Sequence, residues 1–452
     1  MLKLKKTSLY LLLSLILPCM AGCTSNMQGT NKDQVMTSSY DSSDIPTEAD
    51  LTEPSEGSEE NSQVDSSDAS DGIGCVDSSD VSDRTGHIDS SDASEETSPA
   101  KPPLEIKEHE ITLLMVGDIL LHTPVEKSAM REDGSYSYDA IFENTKALIS
   151  AADLALVNQE VILGGTELGI SGYPRFNAPY DVGTDLVEAG FDVICHATNH
   201  SMDQGQAGVQ NCLSFWEKNY PEIQILGLHD NPDDPLFVYE KDGMKIAFLN
   251  YTYSTNGIAL PADMPYAVDL LSNKNKVIAD IQYAESVADF TVVCPHWGTE
   301  YRLTADASQE KWTKLFLENG VDLVLGTHPH VIEPVEFLTD EESGHSMLVY
   351  YSLGNFVNWT SSSGNGIANR MVGGMAQVTL SRNEDGEVAI ADYGITALVC
   401  HLTPGQDGVT TYPLSAYNEE LAAENKICNQ DPAFSYSYCV DLCNEVWGDL
   451  WE

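Results

Sequence analysis

Beyond the Pro102-Pro103 pair, short apolar runs bounded by turn residues alternate with longer amphipathic stretches, the pattern of strands joined by crossover helices. Residues 111–116, 154–157, 193–195, 246–250, 291–294, 323–325 and 348–351 read as strands, and residues 139–152, 205–218, 274–287 and 309–319 as helices. This predicts an α/β fold over residues 104–402, as one large domain or two closely packed lobes, with 403–452 as a C-terminal extension. In a largely parallel sheet the carboxyl ends of these strands share one edge, where open α/β folds place their ligands.

The residues before that boundary follow other patterns. Lys3, Lys5 and Lys6 precede an apolar run over 9–18, the layout of an export signal and too short to span a bilayer. The run ends in Met20-Ala21-Gly22-Cys23, which resembles a bacterial lipobox with Met20 in place of the more usual Leu. Residues 1–23 are therefore expected to be a lipoprotein signal, with Cys23 lipidated and the protein anchored to the membrane on the extracytoplasmic side. Residues 24–103 are rich in Ser, Asp, Glu and Gly with almost no aromatics, and such a stretch is expected to stay disordered. Asp65-Ser66-Ser67-Asp68, Asp77-Ser78-Ser79-Asp80 and Asp89-Ser90-Ser91-Asp92 recur there at twelve-residue spacing. No glycine-turned ligand loop accompanies them, which favours a self-repelling tether over a calcium site.

The formal charge of −49 is not confined to this tether, so the folded part is itself acidic. Such a field repels nucleic acid and anionic membrane, and an anionic substrate needs a local metal or arginine to approach. Ten cysteines include no Cys-x-x-Cys, which argues against a zinc ribbon or a thioredoxin-like motif. Cys428, Cys439 and Cys443 are placed to form a disulfide with one another or with Cys400 in an oxidising exterior.

Chemistry gathers where the strands end. The first runs into Gly117-Asp118, the second into Asn158-Gln159-Glu160, and the third into His196-Ala197-Thr198-Asn199-His200. Later runs give Pro295-His296-Trp297-Gly298 and Gly326-Thr327-His328-Pro329-His330. Imidazole and carboxylate together suit a divalent transition metal such as manganese, zinc or iron. In an extended segment His328 and His330 project to the same side, because alternate residues point alike.

Gly117-Asp118, Asn158-x-Glu160, Thr198-Asn199-His200-x-x-Asp203, His296-Trp297-Gly298-x-Glu300 and Gly326-x-His328-Pro329-His330, followed by Tyr351-Ser352-Leu353-Gly354-Asn355-Phe356, resemble the ordered motifs of the CapA family of bacterial capsule and poly-γ-glutamate biosynthesis proteins. Tyr173-Pro174-Arg175-Phe176-Asn177-Ala178-Pro179 and Asn250-Tyr251-Thr252-Tyr253 resemble a branch of it. That family is similar to calcineurin-like metallophosphoesterases, which implies a layered α/β fold. The resemblance also implies one or two divalent ions held by Asp118, Glu160, Asn199, His296, His328 and His330. Two positions depart from the phosphoesterase motifs: Leu120 replaces the first histidine, with His122 two residues beyond, and Glu160 replaces the bridging aspartate.

On this resemblance His200 donates a proton to a leaving group, or else fixes Asn199 by a hydrogen bond. Asp203 orients His200 or caps the helix at Gly205. Arg175, Asn177 and Glu300 are candidate substrate contacts, Arg175 as a carboxylate or phosphate fork or as a structural ion pair. Trp297 is expected to be packing, and His122 to be carried away from the rim by a helix after Leu121. The implied function is a surface hydrolase or transferase acting on an anionic envelope polymer such as poly-γ-glutamate. The alternatives are a non-catalytic scaffold for membrane-bound polymer synthase subunits and a general secreted metallophosphatase.

Overall fold

Strand side chains point alternately to opposite faces, and several strands here carry apolar residues on both. Residues 109–383 and 385–451 are described by a computed structural model. The export signal, Cys23 and the acidic tether lie outside the described residues. The strands are β1 (Glu110–Ile119), β2 (Leu154–Asn158), β3 (Val193–Cys195), β4 (Gln224–Leu226), β5 (Phe237–Lys241), β6 (Met244–Thr252) and β7 (Phe290–His296). They continue as β8 (Leu323–Leu325), β9 (Val335–Thr339), β10 (Ser346–Tyr350), β11 (Asn355–Val357), β12 (Val372–Arg382), β13 (Val388–Leu402) and β14 (Val409–Pro413).

They form two mixed sheets rather than the one largely parallel sheet expected. The first has eight strands, ordered β14-β13-β12-β1-β2-β3-β4 with β11 also paired to β1, and the second has six, ordered β5-β6-β7-β8-β10-β9. Each contains a parallel block: β1 to β4 in the first, and β6, β7, β8 and β10 in the second. Ile246, Phe248, Val292, Leu323 and Leu348 pack into the core shared with the first sheet. Their neighbours Ala247, Leu249, Val293, Val324 and Val349 pack instead with Val277, Ile281, Trp312 and Phe316, from helices Lys274–Val287 and Ala307–Glu318. A fully buried aliphatic side chain contributes about 1.5–3 kcal/mol. Burial on both faces therefore stacks the second sheet between the first sheet and these helices. An apolar run alone does not say how many sheets its strands divide into.

The region 139–152 is not one helix. It breaks into Asp139–Phe142 and Lys146–Ile149, where Thr145 turns its hydroxyl onto the Phe142 carbonyl (3.2 Å) and Asn144 reaches Thr410 (2.9 Å). Such short polar side chains compete with helical backbone bonds. Beyond residue 402, β14 pairs with β13, and helix Tyr436–Trp447 returns to the body, its Trp447 indole donating to the Glu333 carbonyl (3.0 Å). Cys400, Cys428, Cys439 and Cys443 are free thiols, so the disulfide considered among them is not formed. No helix among the described residues is long and apolar enough to cross a membrane.

Away from the strand ends, Glu126 on helix Thr123–Ala129 is buried and accepts a hydrogen bond from the Tyr138 hydroxyl (2.5 Å), while its other oxygen has no partner. Burial pushes its carboxyl up to about 8, against the opposing Tyr138 bond. The folded state therefore keeps a proton that the unfolded chain releases near 4.5. Stability from this group is complete below that value and is lost as pH rises toward about 8. Urea midpoints should fall across this window, and Glu126→Gln should flatten part of the fall; an unchanged slope in the variant would show that Glu126 ionises freely in the fold.

Candidate metal centre

Two glycines let the strands leave the sheets close together. A Cβ on Gly117 would meet the Gly354 carbonyl oxygen at 1.9 Å, and one on Gly326 would meet the Tyr351 carbonyl oxygen at 2.1 Å. The first approach lets the Asp118 amide donate to Gly354 (2.9 Å), fixing the carboxylate at the end of β1.

Asp118, Glu160, Asn199, His296, His328 and His330 meet at one place. The Asp118 carboxylate accepts from the Asn158 amide (2.8 Å) and lies 3.0 Å from His330 Nδ1. His330 Nε2 is 3.6 Å, and His296 Nε2 3.8 Å, from the same Glu160 oxygen. His296 Nε2 also lies 3.0 Å from Asn199 Oδ1, and its Nδ1 3.0 Å from the Thr327 hydroxyl. The His328 ring is 4.8 Å from that of His296 and lies tilted at 4.5 Å against the ring of Tyr253. The backbone route differs from the extended segment expected for the last pair. His328 (φ 99) and His330 (φ 58) are both left-handed, a costly conformation for residues with a Cβ and one that clusters at functional sites.

The charge balance here is incomplete without a cation. Both Glu160 oxygens, His328 Nδ1 and Asn158 Oδ1 are buried without a hydrogen-bond partner among the described residues. Removing an ionised carboxylate from water costs on the order of several kcal/mol when nothing replaces its hydration. Burial accordingly pushes the Glu160 carboxyl well above its ordinary range, with Asp118 adding and His330 opposing. Burial also pushes His328 down to about 3, favouring a neutral ring, and its Nδ1 has no hydrogen-bond partner among the described residues. His330 is driven the other way, to about 10, because Glu160 and Asp118 outweigh its burial. One ligating atom each from Glu160, His328 and His330 lie within 4.8 Å of one another. An orphaned carboxylate beside imidazoles is a donor set that fits a divalent transition ion.

The other expected residues divide. His200 and Asp203 form a buried pair at 2.6 Å, and Asp203 also accepts from the Phe176 amide (2.7 Å). Gln204, not Asp203, is the N-cap of helix Gly205–Asn219, so Asp203 orients the imidazole. His200 packs its ring edge-on to Phe176 at 4.6 Å, whereas Asn199 is held by His296. Glu300 is half-buried beside the histidines; burial works to raise its carboxyl, but the charges of His330 and His328 hold it below the usual range. Arg175 is exposed on the loop before Phe176. Asn177 is tied into the loop: its amide accepts from Gly164 (2.9 Å) and donates to Gly165 (2.9 Å) and Gly169 (2.8 Å), which uses both of its donors. Trp297 is packing, its indole on the Tyr351 carbonyl (3.0 Å).

Three participants were not recognised from sequence. Asn158 stood inside a quoted motif and bridges Asp118 and His296. Asn355 stood at the end of another and lies 3.2 Å from His330 Nδ1. His122 is not carried away: a helix does follow it, but its ring packs at 5.2 Å on Phe176, and burial followed by the charges of His330 and His200 pushes it down to about 4.

The sequence profile of the bacterial capsule synthesis protein PGA_cap matches residues 112–360. The chain is 29% identical over 256 residues to the PGA biosynthesis protein CapA of Bacillus subtilis (strain 168), covering 54% of this chain and 63% of that protein. It is 27% identical over 280 residues to the capsule biosynthesis protein CapA of Bacillus anthracis, covering 58% and 64%. The chain thus spans less than two thirds of the length of either relative. Among solved structures, it is similar to the NAD nucleotidase of Haemophilus influenzae (TM-score 0.38, 10% identity, 76% of this chain and 63% of that one). It is also similar to the 5'-nucleotidase of Candida albicans (TM-score 0.34, 10% identity, 74% and 56%).

Glu160→Gln keeps the shape of this side chain and removes its charge. Loss of an outer ligand-orienting group costs about 10–100-fold in metal affinity, and loss of Glu160 should cost at least as much. Elemental analysis after dialysis against manganese should show the variant depleted, whereas Asn177→Ala should lower the thermal midpoint and leave metal content alone. A Glu160→Gln protein that retains manganese as wild type does would remove the centre.

Proposed function

Because the chain belongs to the bacterial capsule synthesis protein family PGA_cap, we propose that it acts in the making or export of an envelope polymer, as a metal-dependent hydrolase or transferase. The observation that carries this reading is the buried Glu160 carboxylate, unpartnered and facing two histidines. Glu160, His328 and His330 would hold the ion, with Asp118, His296 and Asn199 beside them. When bound, a divalent ion supplies charge that polarises a phosphoryl or acyl oxygen.

The remaining chemistry belongs to the chain. Asp203 holds His200 by its Nδ1 at 2.6 Å, which leaves Nε2 to carry or accept the proton exchanged with a leaving group. Phe176 packs edge-on against the ring at 4.6 Å. The substrate class is an anionic envelope polymer such as poly-γ-glutamate; the Bacillus subtilis relative is named a PGA biosynthesis protein. Attachment through a lipid on Cys23, outside the cytoplasm, would hold the site near the membrane where such a polymer emerges, within reach of membrane-bound synthase subunits. The acidic tether would set its distance from that surface.

Hydrolysis should be assayed on γ-linked glutamate oligomers and on a phosphodiester, with manganese and with chelator. Activity should vanish with chelator, and His200→Ala should lower the rate about 100- to 10,000-fold while metal content is unchanged. Chelator-insensitive turnover would refute the metal dependence, and no turnover on either substrate by metal-loaded protein would favour the scaffold. Cys23→Ser should move the protein from the membrane fraction to the soluble fraction; an unchanged distribution would refute the lipid anchor.

A further inference from the structure

In a chain of formal charge −49, a guanidinium beside the proposed metal centre stands out. Arg370 lies on the short helical segment Ile367–Met371, just before β12 and beyond the stretch matched by the family profile. Its placement is fixed by the centre itself. The Asn355 side chain donates to both the Arg370 carbonyl (3.0 Å) and the His330 carbonyl (2.9 Å), while its Oδ1 lies 3.2 Å from His330 Nδ1.

The side chain is fixed as well. The Arg370 guanidinium carbon sits 3.5 Å above the centroid of the Tyr301 ring, and that ring is 6.1 Å from the ring of His330. Tyr301 is anchored in turn, its amide donating to the Pro329 carbonyl (2.7 Å) between His328 and His330. The Arg370 charge acts on both Glu300 and His122.

What Arg370 lacks is a carboxylate at ion-pair distance among the described residues. Its Nε is buried without a hydrogen-bond partner, and the arginine ion pairs among the described residues are Arg131–Asp407 and Arg382–Asp289. Stacking on Tyr301 offsets part of the desolvation of a guanidinium but leaves its in-plane N–H donors unused. Those donors form a planar fork matched to an oxyanion. We infer that Arg370, braced on Tyr301, is the anion clamp of this site and receives a carboxylate or phosphate oxyanion of the substrate beside Glu160, His328 and His330. The inference rests on the proposed function for the identity of the substrate, but the clamp itself can be tested separately. It also answers the electrostatic difficulty of this chain, since an anion approaching so acidic a surface requires a fixed local cation.

The full chain and its Arg370→Gln and Arg370→Lys variants are titrated calorimetrically with inorganic phosphate and, separately, with a γ-linked glutamate oligomer, and manganese is measured on the same samples. Arg370→Gln should weaken at least one probe about 10–100-fold, the scale of a charged hydrogen bond, at unchanged metal content. Arg370→Lys keeps the charge without the fork and should fall between. A larger loss on the oligomer assigns the clamp to a carboxylate, and a larger loss on phosphate assigns it to a phosphoryl group. If wild type takes up no manganese yet Arg370→Gln still loses probe binding, the metal reading fails and the clamp stands. The clamp is overturned if wild type binds neither probe, if Arg370→Gln binds both as wild type does, or if both variants lose metal and probe together.

Discussion

A buried carboxylate that accepts no hydrogen bond lies at the seam of this fold. Glu160 is buried with both oxygens unpartnered, and the groups around it are arranged as a response to that charge. His330 is driven toward protonation by it, while His328 and His296 are kept neutral by burial. A site of this kind costs stability unless a cation arrives, because the desolvation of an ionised carboxylate exceeds the worth of most single contacts in the core. Metal binding and integrity of the strand ends are therefore expected to be linked.

The two-sheet arrangement is what allows that charge to be surrounded. Asp118, Glu160 and Asn199 come from the first sheet's parallel block, and His296, His328 and His330 from the second's. The apolar faces of both sheets press into one core, bringing their carboxyl edges together, and Gly117 and Gly326 permit the last approach. The left-handed turns at His328 and His330 then aim two rings from one short loop at a single carboxylate. Strain of this sort persists where the surrounding structure over-determines it, and the Asn355 side chain, on both the His330 carbonyl and ring, is one such constraint.

Around the carboxylate, polar side chains sort by what remains free on them. Asn177 spends its amide on three backbone groups and shapes the 164–169 loop, whereas Asn158 turns its NH2 toward Asp118 and His296 and keeps a buried oxygen without a hydrogen-bond partner. Asp203 has one partner to orient and one amide to hold, so His200 is presented in a single tautomer-defining contact. Arg370 differs from Arg131 and Arg382 in having no carboxylate of its own. A polar group with unused capacity in a buried position is a better indicator of chemistry than residue type alone.

Much of this was legible in the sequence because it is local. Apolar runs locate β1, β2, β3, β7 and β8 closely, and the polar clusters after them follow directly in chain order, while the family resemblance singled out Asp118, Glu160, His296, His328 and His330 from those clusters. The division into two sheets was not legible, since an apolar strand reads the same in either. Nor was the break in 139–152, where Asn144 finds a partner 266 residues away. The surroundings of His122 and Asn177 were hidden for the same reason: they depend on Phe176 and on the 164–169 loop. Arg370 carries no local signal at all, and only the tertiary structure, by laying it on Tyr301 and tying its backbone to Asn355, makes it part of the site, because hydrogen bonds and stacking act across space regardless of separation along the chain.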